Sequence, residues 1–185
     1  KELSKNFIKK FKKNHVISTN EGSAVGFAIG YYLGNKKPAV VYLQNSGLGN
    51  IINPITSLAN PKVYGIPMLL IVGWRGEIKN KVQINDEPQH KFQGEITLKQ
   101  LKLLNIPHKI IDSKTKNFIQ VIKNLKKKSI KSNTPVAIVV RKNTFLKSIY
   151  NFSDKKKYNF VREDIIKDII NVTKDKNVVI VSTTG

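Results

Sequence analysis

The stretch from Ser18 to Tyr32 constrains the fold more than any other part of the chain. A short apolar run, His15–Ile17, precedes it and predicts a buried strand. Within the stretch, apolar residues and glycines recur at helical spacing, so we expect a helix over residues 20–34. Its single charged residue, Glu21, therefore stands where a strand passes into a helix. Ligands of open α/β sheets bind at that end of the strands, which makes Glu21 a candidate functional residue.

Alternating strand and helix patterns predict the fold class. Apolar runs indicate further buried strands, and the amphipathic segments between them indicate helices. This alternation is typical of an α/β fold that is doubly wound, with a mostly parallel sheet and helices on both faces. The strands are expected at residues 38–43, 68–72, 108–111 and 135–140, and the other helices at residues 3–13, 48–60, 97–105, 114–131 and 161–171, with Pro54 in the first turn of the 48–60 helix.

Changes in composition divide the chain into three parts. Residues 1–142 contain the alternating pattern and form the predicted main domain. Residues 143–160 lose all periodicity and carry Lys155–Lys157, which is typical of a linker. Residues 161–185 predict one more helix and a strand at Asn177–Val181, as at the start of a second α/β domain that is cut short.

The net charge of +21 raises the question of nucleic-acid binding. Of the 33 basic residues, however, just three are arginines, and arginine is the side chain that binds phosphate and guanine bidentately. The lysines are spread over every polar face, in a chain that is also rich in Asn and Ile. We therefore favour a solvated basic surface and expect no nucleic-acid partner. A basic nucleic-acid-binding module is the alternative of a different class.

Other features of the composition exclude further classes. No apolar run approaches the roughly 18 residues of a membrane span, and the first residues lack the apolar core of a signal peptide. The chain has no cysteine, which excludes disulfides and thiolate metal sites. We expect a cytoplasmic protein with no membrane partner. No spacing of His, Asp and Glu suggests a metal site, so no metal ligand is predicted.

Two polar segments near predicted strand ends could carry chemistry. Glu21 could simply stabilise the first turn of its helix, by about 0.3–1 kcal/mol. It could instead hydrogen-bond a ligand nitrogen in a cleft, where Gly22 would permit a close approach. The segment that begins with Gln44 and Asn45 could be a plain strand-to-helix turn or a polar cradle for a ligand.

A third segment is a long polar loop, predicted from Gly73 to Gly94. Loops of more than about 15 residues inside a compact domain are usually functional or disordered. Within this loop, Arg75 and His90 could bind an anionic substrate and exchange protons. Composition alone favours the opposite interpretation, in which these are ordinary solvated residues.

Seven blocks then occur in order along the chain: Asn20–Gly22, Tyr42–Asn50, Asn53–Pro54, Ser57–Leu58, Gly73–Glu77, Asp86–His90 and Val139–Lys142. In this order they resemble the thiamine diphosphate-dependent decarboxylases that act on phosphonopyruvate and, closely related to them, on sulfopyruvate. The resemblance runs from about residue 3 to residue 185. The co-occurrence of the blocks is far more specific than any one of them.

The resemblance implies that residues 1–142 form a pyrimidine-binding domain. Glu21 would be the catalytic residue, hydrogen-bonded to a ring nitrogen of the cofactor's aminopyrimidine. Gly22, Gln44 and Asn45 would line the cofactor site together with Glu21. The hard chemistry would belong to the cofactor, thiamine diphosphate.

The resemblance also implies a substrate class. The substrate would be a small 2-oxo acid, in the first instance 3-phosphonopyruvate, which would yield phosphonoacetaldehyde and CO2. Arg75 and His90 are the weaker candidates for holding its anionic end or handling protons. A sulfopyruvate decarboxylase subunit is the near alternative. Residues 78–85 make the loop before Asp86 longer than the family pattern, and this departure bears on the substrate assignment.

Partners follow from the same resemblance. Sites of this family form between a pyrimidine-binding domain and a diphosphate-binding domain, which implies at least a homodimer or a separate diphosphate-domain subunit. The Gly-Asp-Gly…Asn motif that binds Mg²⁺ and diphosphate is not in this sequence. The Mg²⁺ ligands are therefore expected in the diphosphate-binding domain, and the 185-residue chain alone is expected to be inactive. The family's first strand, with its Gly-Val-Pro turn, is likewise not found before Lys1.

Overall fold

The computed structural model describes residues 2–80, 82–146 and 161–175. The chain divides into two compact units, residues 1–148 and 149–185. In the first unit the helices are α1 (Glu2–Lys10), α2 (Glu21–Asn35), α3 (Ile52–Pro54), α4 (Pro88–Leu103) and α5 (Phe118–Ser132), with 3-10 helices at Lys12–Asn14 and Asn45–Ile51 and a π-helix at Ile55–Ala59. The strands are β1 (Ala39–Gln44), β2 (Met68–Gly73), β3 (Ile78–Lys79), β4 (Val82–Gln83), β5 (His108–Ile111) and β6 (Pro135–Val140).

Four of these strands form a parallel sheet in the order β1-β2-β6-β5. Gln44 is level with Gly73, and Gly73 with Val140, so β1, β2 and β6 end at one line. The connections after these three strands therefore leave from the same edge, the carboxyl end of the sheet, where α/β proteins bind ligands. The predicted α/β class with a parallel sheet is confirmed.

The apolar core lies on both faces of this sheet. On one face α2, the helical segment 45–59 and α4 pack against alternate side chains of β1, β2 and β6. On the other face Leu125 of α5 packs against Val136, Ile138 and Val140 of β6. All six residues of β6 are buried because both faces of this central strand are covered.

The predicted strand at His15–Ile17 is wrong. His15 has an extended backbone, but none of the three residues belongs to a sheet of the described chain, and Val16 and Ile17 are exposed. His15 contacts the neighbouring strand through its side chain instead, because its ring stacks on Tyr42 and its Nε2 lies 2.8 Å from the Tyr42 hydroxyl. Side-chain contacts, rather than ladder hydrogen bonds, hold His15 beside β1.

The helix predicted at residues 48–60 begins earlier and is irregular. Helical structure starts at Asn45, directly after β1, as the 3-10 helix Asn45–Ile51. It continues through the single turn α3 into the π-helix Ile55–Ala59. Pro54 therefore lies inside the helical segment and not in its first turn. It has no N–H to donate, and the pitch of the segment changes directly after it.

The loop predicted from Gly73 to Gly94 is largely regular structure. It contains the antiparallel pair β3–β4 and the first two turns of α4. The predicted helix at residues 97–105 is thus the second half of α4, which begins at Pro88. Proline suits the first position of a helix because the missing N–H would be unpaired there anyway.

The remaining segments differ less from prediction. Helix α5 begins at Phe118, four residues later than expected, after Asn117 in a left-handed conformation. In the second unit, the predicted helix is present as α6 (Arg162–Thr173). The predicted strand Asn177–Val181 and most of the predicted linker lie outside the described residues. Among the residues described, no helix is long and apolar enough to span a membrane.

Candidate active site

Glu21 is the first residue of α2, where the prediction placed it at a helix start. Asn20 caps the helix, because its side-chain oxygen accepts a hydrogen bond from the Ser23 N–H at 2.8 Å. The Ser23 N–H is therefore already hydrogen-bonded to Asn20 and does not need the Glu21 carboxylate as an acceptor. The Glu21 carboxylate is therefore available for contacts outside its own helix.

The 3-10 helix Asn45–Ile51 receives this carboxylate. Asn50 Nδ2 donates to Glu21 Oε2 at 2.7 Å. Gly47 lies directly against the Glu21 side chain, because a Cβ on Gly47 would stand 2.4 Å from Glu21 Cγ and Cδ. A Cβ on Gly22 would likewise stand 2.9 Å from the Asn50 carbonyl oxygen. Two glycines and one amide thus fix Glu21 against the segment that follows β1.

Asn45, at the start of the same 3-10 helix, faces inward and is completely buried. Its Oδ1 accepts the backbone N–H of Arg75 at 3.0 Å, and its Nδ2 donates to the Arg75 carbonyl at 2.9 Å. Nδ2 also lies 2.8 Å from Thr97 Oγ1 of α4. The amide therefore joins the ends of β1 and β2 to α4. Both its oxygen and its nitrogen are hydrogen-bonded to other residues of the protein.

Arg75 is held at its side chain by Asp86. The Arg75 Nε donates to Asp86 Oδ2 at 2.9 Å, and Asp86 also accepts the backbone N–H groups of Gly76 and Glu87 at 2.8 and 2.9 Å. The Arg75 guanidinium, and after it these backbone donors, hold the pKa of Asp86 well below its usual range. The Asp86 hydrogen bond in turn raises the pKa of Arg75.

Glu87 joins Arg75 to His90. Its Oε2 lies 3.3 Å from Arg75 Nη2 and 3.3 Å from His90 Nε2. The same oxygen accepts a hydrogen bond from Gln89 Nε2 at 3.0 Å. The other ring nitrogen of His90, Nδ1, is buried and has no hydrogen-bond partner among the described residues. The two residues predicted to bind substrate are therefore brought together around one carboxylate oxygen.

The rest of the segment after β2 is anchored to α4 and β6. Gly76 has a φ of +60°, and a Cβ there would stand 1.9 Å from the His90 carbonyl oxygen. A Cβ on Gly94 would stand 1.7 Å from the Gly76 carbonyl oxygen. Such close backbone contact requires glycine at both positions.

An ion pair with a buried carboxylate makes the link to β6. Arg141, which follows β6, lies over the Trp74 ring at 5.0 Å and donates to the buried carboxylate of Glu77 at 3.2 Å. The Trp74 Nε1 donates to the Gly94 carbonyl at 2.9 Å. Strand ends β2 and β6 and helix α4 are thus tied together at one edge of the sheet.

The structure distributes the sequence-predicted residues over two neighbouring places. Glu21 and Gly22 lie against residues 47–50. The Arg75 side chain meets His90, in the first turn of α4, through Glu87. Gln44 is exposed and donates to Ser46 Oγ at 2.9 Å. The role of each residue toward a ligand stays a prediction.

Sequence reasoning missed several contributors to these places. Asn50, Asp86 and Glu87 make the defining contacts and were not predicted as site residues. Each lies in a block that carries the family resemblance, and that was the available signal. No group of three or more His, Asp or Glu side chains that could hold a metal ion occurs in the described part of the chain.

Comparison with known proteins identifies the family. Residues 2–103 match the model for the N-terminal TPP binding domain of thiamine pyrophosphate enzymes. Sulfopyruvate decarboxylase subunit alpha of Methanococcus maripaludis is 39% identical over 127 residues, which cover 68% of this chain and 70% of that protein. The corresponding subunit of Methanocaldococcus jannaschii is 40% identical over 82 residues, 42% of this chain and 47% of that protein. Phosphonopyruvate decarboxylase of Streptomyces viridochromogenes is 41% identical over 97 residues, 52% of this chain but 23% of that enzyme.

Proposed function

The chain belongs to the thiamine pyrophosphate enzymes through their N-terminal cofactor-binding domain, and from this premise we propose that it is the pyrimidine-binding part of a 2-oxo acid decarboxylase. The proposed substrate is 3-phosphonopyruvate, which would yield phosphonoacetaldehyde and CO2. Sulfopyruvate is the alternative, since relatives named for either activity are about equally similar. Helix α6, which follows the pyrimidine-binding domain, favours the phosphonopyruvate enzyme because it suggests a second domain on the same chain.

The hydrogen bonding of the Glu21 carboxylate is the observation that carries this proposal. One carboxylate oxygen, Oε2, is fixed by Asn50, while Oε1 has no hydrogen-bond donor among the described residues. Glu21 is partly buried at the carboxyl edge of the sheet, beside Gly22 and Gly47. A carboxyl group with one fixed and one open oxygen can share a proton with a ring nitrogen. These residues fit the aminopyrimidine of thiamine diphosphate, which Glu21 would hold.

Thiamine diphosphate, when bound, supplies the nucleophilic carbon and the electron sink for decarboxylation. The role of this chain would be to orient the pyrimidine through Glu21 and to position the substrate through the Arg75 and His90 cluster. Asn50 would keep the Glu21 carboxylate in place, so that no reorganisation is needed when the cofactor binds. Gln44 and Asn45 would contribute at the same edge, Gln44 from its exposed side chain and Asn45 by holding Arg75.

A partner polypeptide is part of the proposal. The outer face of α2 carries Gly26 and Gly30, and neither has an atom within 4 Å of an added Cβ. Phe27 and Tyr31 are exposed beside them, along a cavity of about 560 Å³ that also reaches Ser18. A diphosphate-binding domain, from a second copy or a separate subunit, would cover this apolar face and supply the Mg²⁺ ligands.

The test is a decarboxylation assay on the complete assembly, purified from cells that express the intact gene together with its neighbours. We expect CO2 release from 3-phosphonopyruvate that depends on thiamine diphosphate, and loss of at least about 10²-fold in kcat for Glu21→Gln. Glu95→Gln is the matched control, because Glu95 is exposed on α4. A wild-type assembly inactive on 3-phosphonopyruvate and sulfopyruvate alike would refute the proposal. Preference for sulfopyruvate would select the alternative.

A further inference from the structure

We propose that the Glu87 carboxylate occupies the subsite for the anionic end of the substrate, and that a phosphonate or sulfonate displaces it on binding. Glu87 would thus act as a resident competitor that sets the affinity and charge selectivity of the subsite. This inference rests on the proposed function, since it names the place where that function would hold the substrate's anionic group.

The convergence of three side chains on one oxygen is the first argument. Glu87 Oε2 lies 3.0 Å from Gln89 Nε2, 3.3 Å from Arg75 Nη2 and 3.3 Å from His90 Nε2. Three side chains therefore surround the position of a single anionic oxygen. An oxygen of a phosphonate or sulfonate at that position would meet the same two donors, Arg75 and Gln89, beside the His90 ring.

The difference between the two carboxylates is the second argument. Asp86 is 9% exposed, and both its oxygens are engaged by the Arg75 guanidinium and by backbone N–H groups. Glu87 is 62% exposed, and its hydrogen bonds to Arg75 and Gln89 all involve one oxygen. An exposed ion pair of this kind contributes little to stability. The Asp86 carboxylate is therefore fixed in place, whereas the Glu87 side chain can rotate into solvent at a small cost in free energy.

The fixed geometry of Arg75 is the third argument. Asn45 binds both backbone polar groups of Arg75, and Asp86 binds its Nε. Arg75 Nη1 has no acceptor among the described residues, and 38% of the side chain is exposed. An arginine that is immobilised at its backbone and at Nε presents its remaining donors in one orientation, which lowers the entropy cost of binding an anion.

Charge explains why displacement matters. With Glu87 in place, one cation, Arg75, faces two carboxylates, and this arrangement disfavours the approach of a further anion. Moving the Glu87 charge into solvent leaves the Arg75–Asp86 pair and the His90 ring, which accept an anion more readily. The same requirement discriminates against 2-oxo acids without an anionic tail, because they cannot replace the interactions that Glu87 gives up.

The experiment measures binding of methylphosphonate and methanesulfonate to the full chain, by calorimetric or NMR titration at pH 7. We expect Glu87→Gln to tighten probe binding by about two- to fivefold, the value of one exposed ion pair. Arg75→Met should weaken it by more than about tenfold. Glu95→Gln, on the exposed face of α4, should leave it unchanged, and the uncharged probe dimethyl sulfone should not distinguish the variants.

Unchanged or weaker probe binding by Glu87→Gln, with a urea-unfolding curve like that of the wild type, would overturn the inference. Equal loss for charged and uncharged probes in Arg75→Met would do the same. The two proposals fail separately. Tighter probe binding by Glu87→Gln without any decarboxylation by the assembly would refute the proposed function but support the subsite. Decarboxylation by the assembly with no effect of Glu87→Gln on probe binding would support the proposed function but refute the subsite.

Discussion

The side-chain amide of Asn45 binds both backbone polar groups of Arg75: Oδ1 accepts its N–H at 3.0 Å, and Nδ2 donates to its carbonyl at 2.9 Å. Asn45 directly follows β1, and Arg75 lies two residues beyond β2. A side-chain amide has the same donor and acceptor as a peptide unit, so Asn45 extends the hydrogen bonding of these paired strands beyond their last residues. The same 3-10 helix contacts Glu21 through Gly47 and Asn50.

Replacing this amide should destabilise the fold. Asn45→Ala removes the partner of the Arg75 N–H and carbonyl in a fully buried place, and Thr97 Oγ1 loses a neighbour. Buried polar groups without partners cost about 1–3 kcal/mol each, so we expect a loss of about 2–4 kcal/mol in the free energy of unfolding in urea. Asn124→Ala, on the exposed face of α5, should change it by less than about 0.5 kcal/mol. Equal effects of the two substitutions would contradict this account.

Gly47→Ala should affect the cofactor more than the fold. The added Cβ would stand 2.4 Å from Glu21 Cγ and Cδ, and a flexible side chain can move away cheaply. The Glu21 carboxylate would then leave the position fixed by Asn50. We expect the affinity of the complete assembly for thiamine diphosphate to fall by about tenfold or more, measured by calorimetry. Gly49→Ala is the matched control on the same 3-10 helix, because nothing lies within 4 Å of its added Cβ.

Gly76→Ala should be strongly destabilising. The residue has a φ of +60°, and its Cβ would stand 1.9 Å from the backbone oxygen of His90, which cannot move without shifting α4. Backbone strain and overpacking each cost about 1–3 kcal/mol, so we expect a loss of about 2–5 kcal/mol in urea unfolding. Gly30→Ala, in an open position of α2, should instead raise stability by about 0.5–1 kcal/mol. A tolerated Gly76→Ala would show that the contact with α4 is not rigid.

Arg141→Met should be visible in tryptophan fluorescence. The substitution leaves the buried Glu77 carboxylate without its cation and removes the contact over the ring of Trp74, the one tryptophan of the chain. Unpaired buried charges cost about 3–5 kcal/mol, so we expect a lower urea midpoint and a red-shifted emission. Adding Glu77→Gln should recover part of the loss. A double variant less stable than Arg141→Met would argue against charge burial as the cause.

Acid should weaken the Arg75–Asp86 contact. The Arg75 guanidinium, with the backbone N–H groups of Gly76 and Glu87, lowers the pKa of Asp86 in the folded state. A lowered carboxyl pKa contributes stability that is complete above the unfolded pKa of about 4 and is lost as the pH falls below it. Asp112 contributes with the same sign, since the Thr115 hydroxyl lowers its pKa.

The measurement is the free energy of unfolding between pH 6 and pH 2.5. The wild type should lose stability below about pH 4, and Asp86→Asn should be less stable at pH 6 with a shallower decline. The contribution of Asp112 should persist in that variant, so the decline should not vanish. Parallel curves for wild type and Asp86→Asn would show that Asp86 is not the titrating group.

The sequence by itself determined the strand and helix alternation, the placement of Glu21 at a helix start and the family resemblance. These rest on local periodicity and on residue order. Tertiary structure decided which partners the polar residues took. Asn45 could have faced a ligand, but its amide reaches Arg75 and Thr97, 30 and 52 residues away. The sequence pattern did not predict the first half of α4, because the buried face of that half contains Gly94 and backbone contacts rather than an apolar stripe. Long-range backbone packing leaves no periodic signal, and for that physical reason the structure alone resolved the segment after β2.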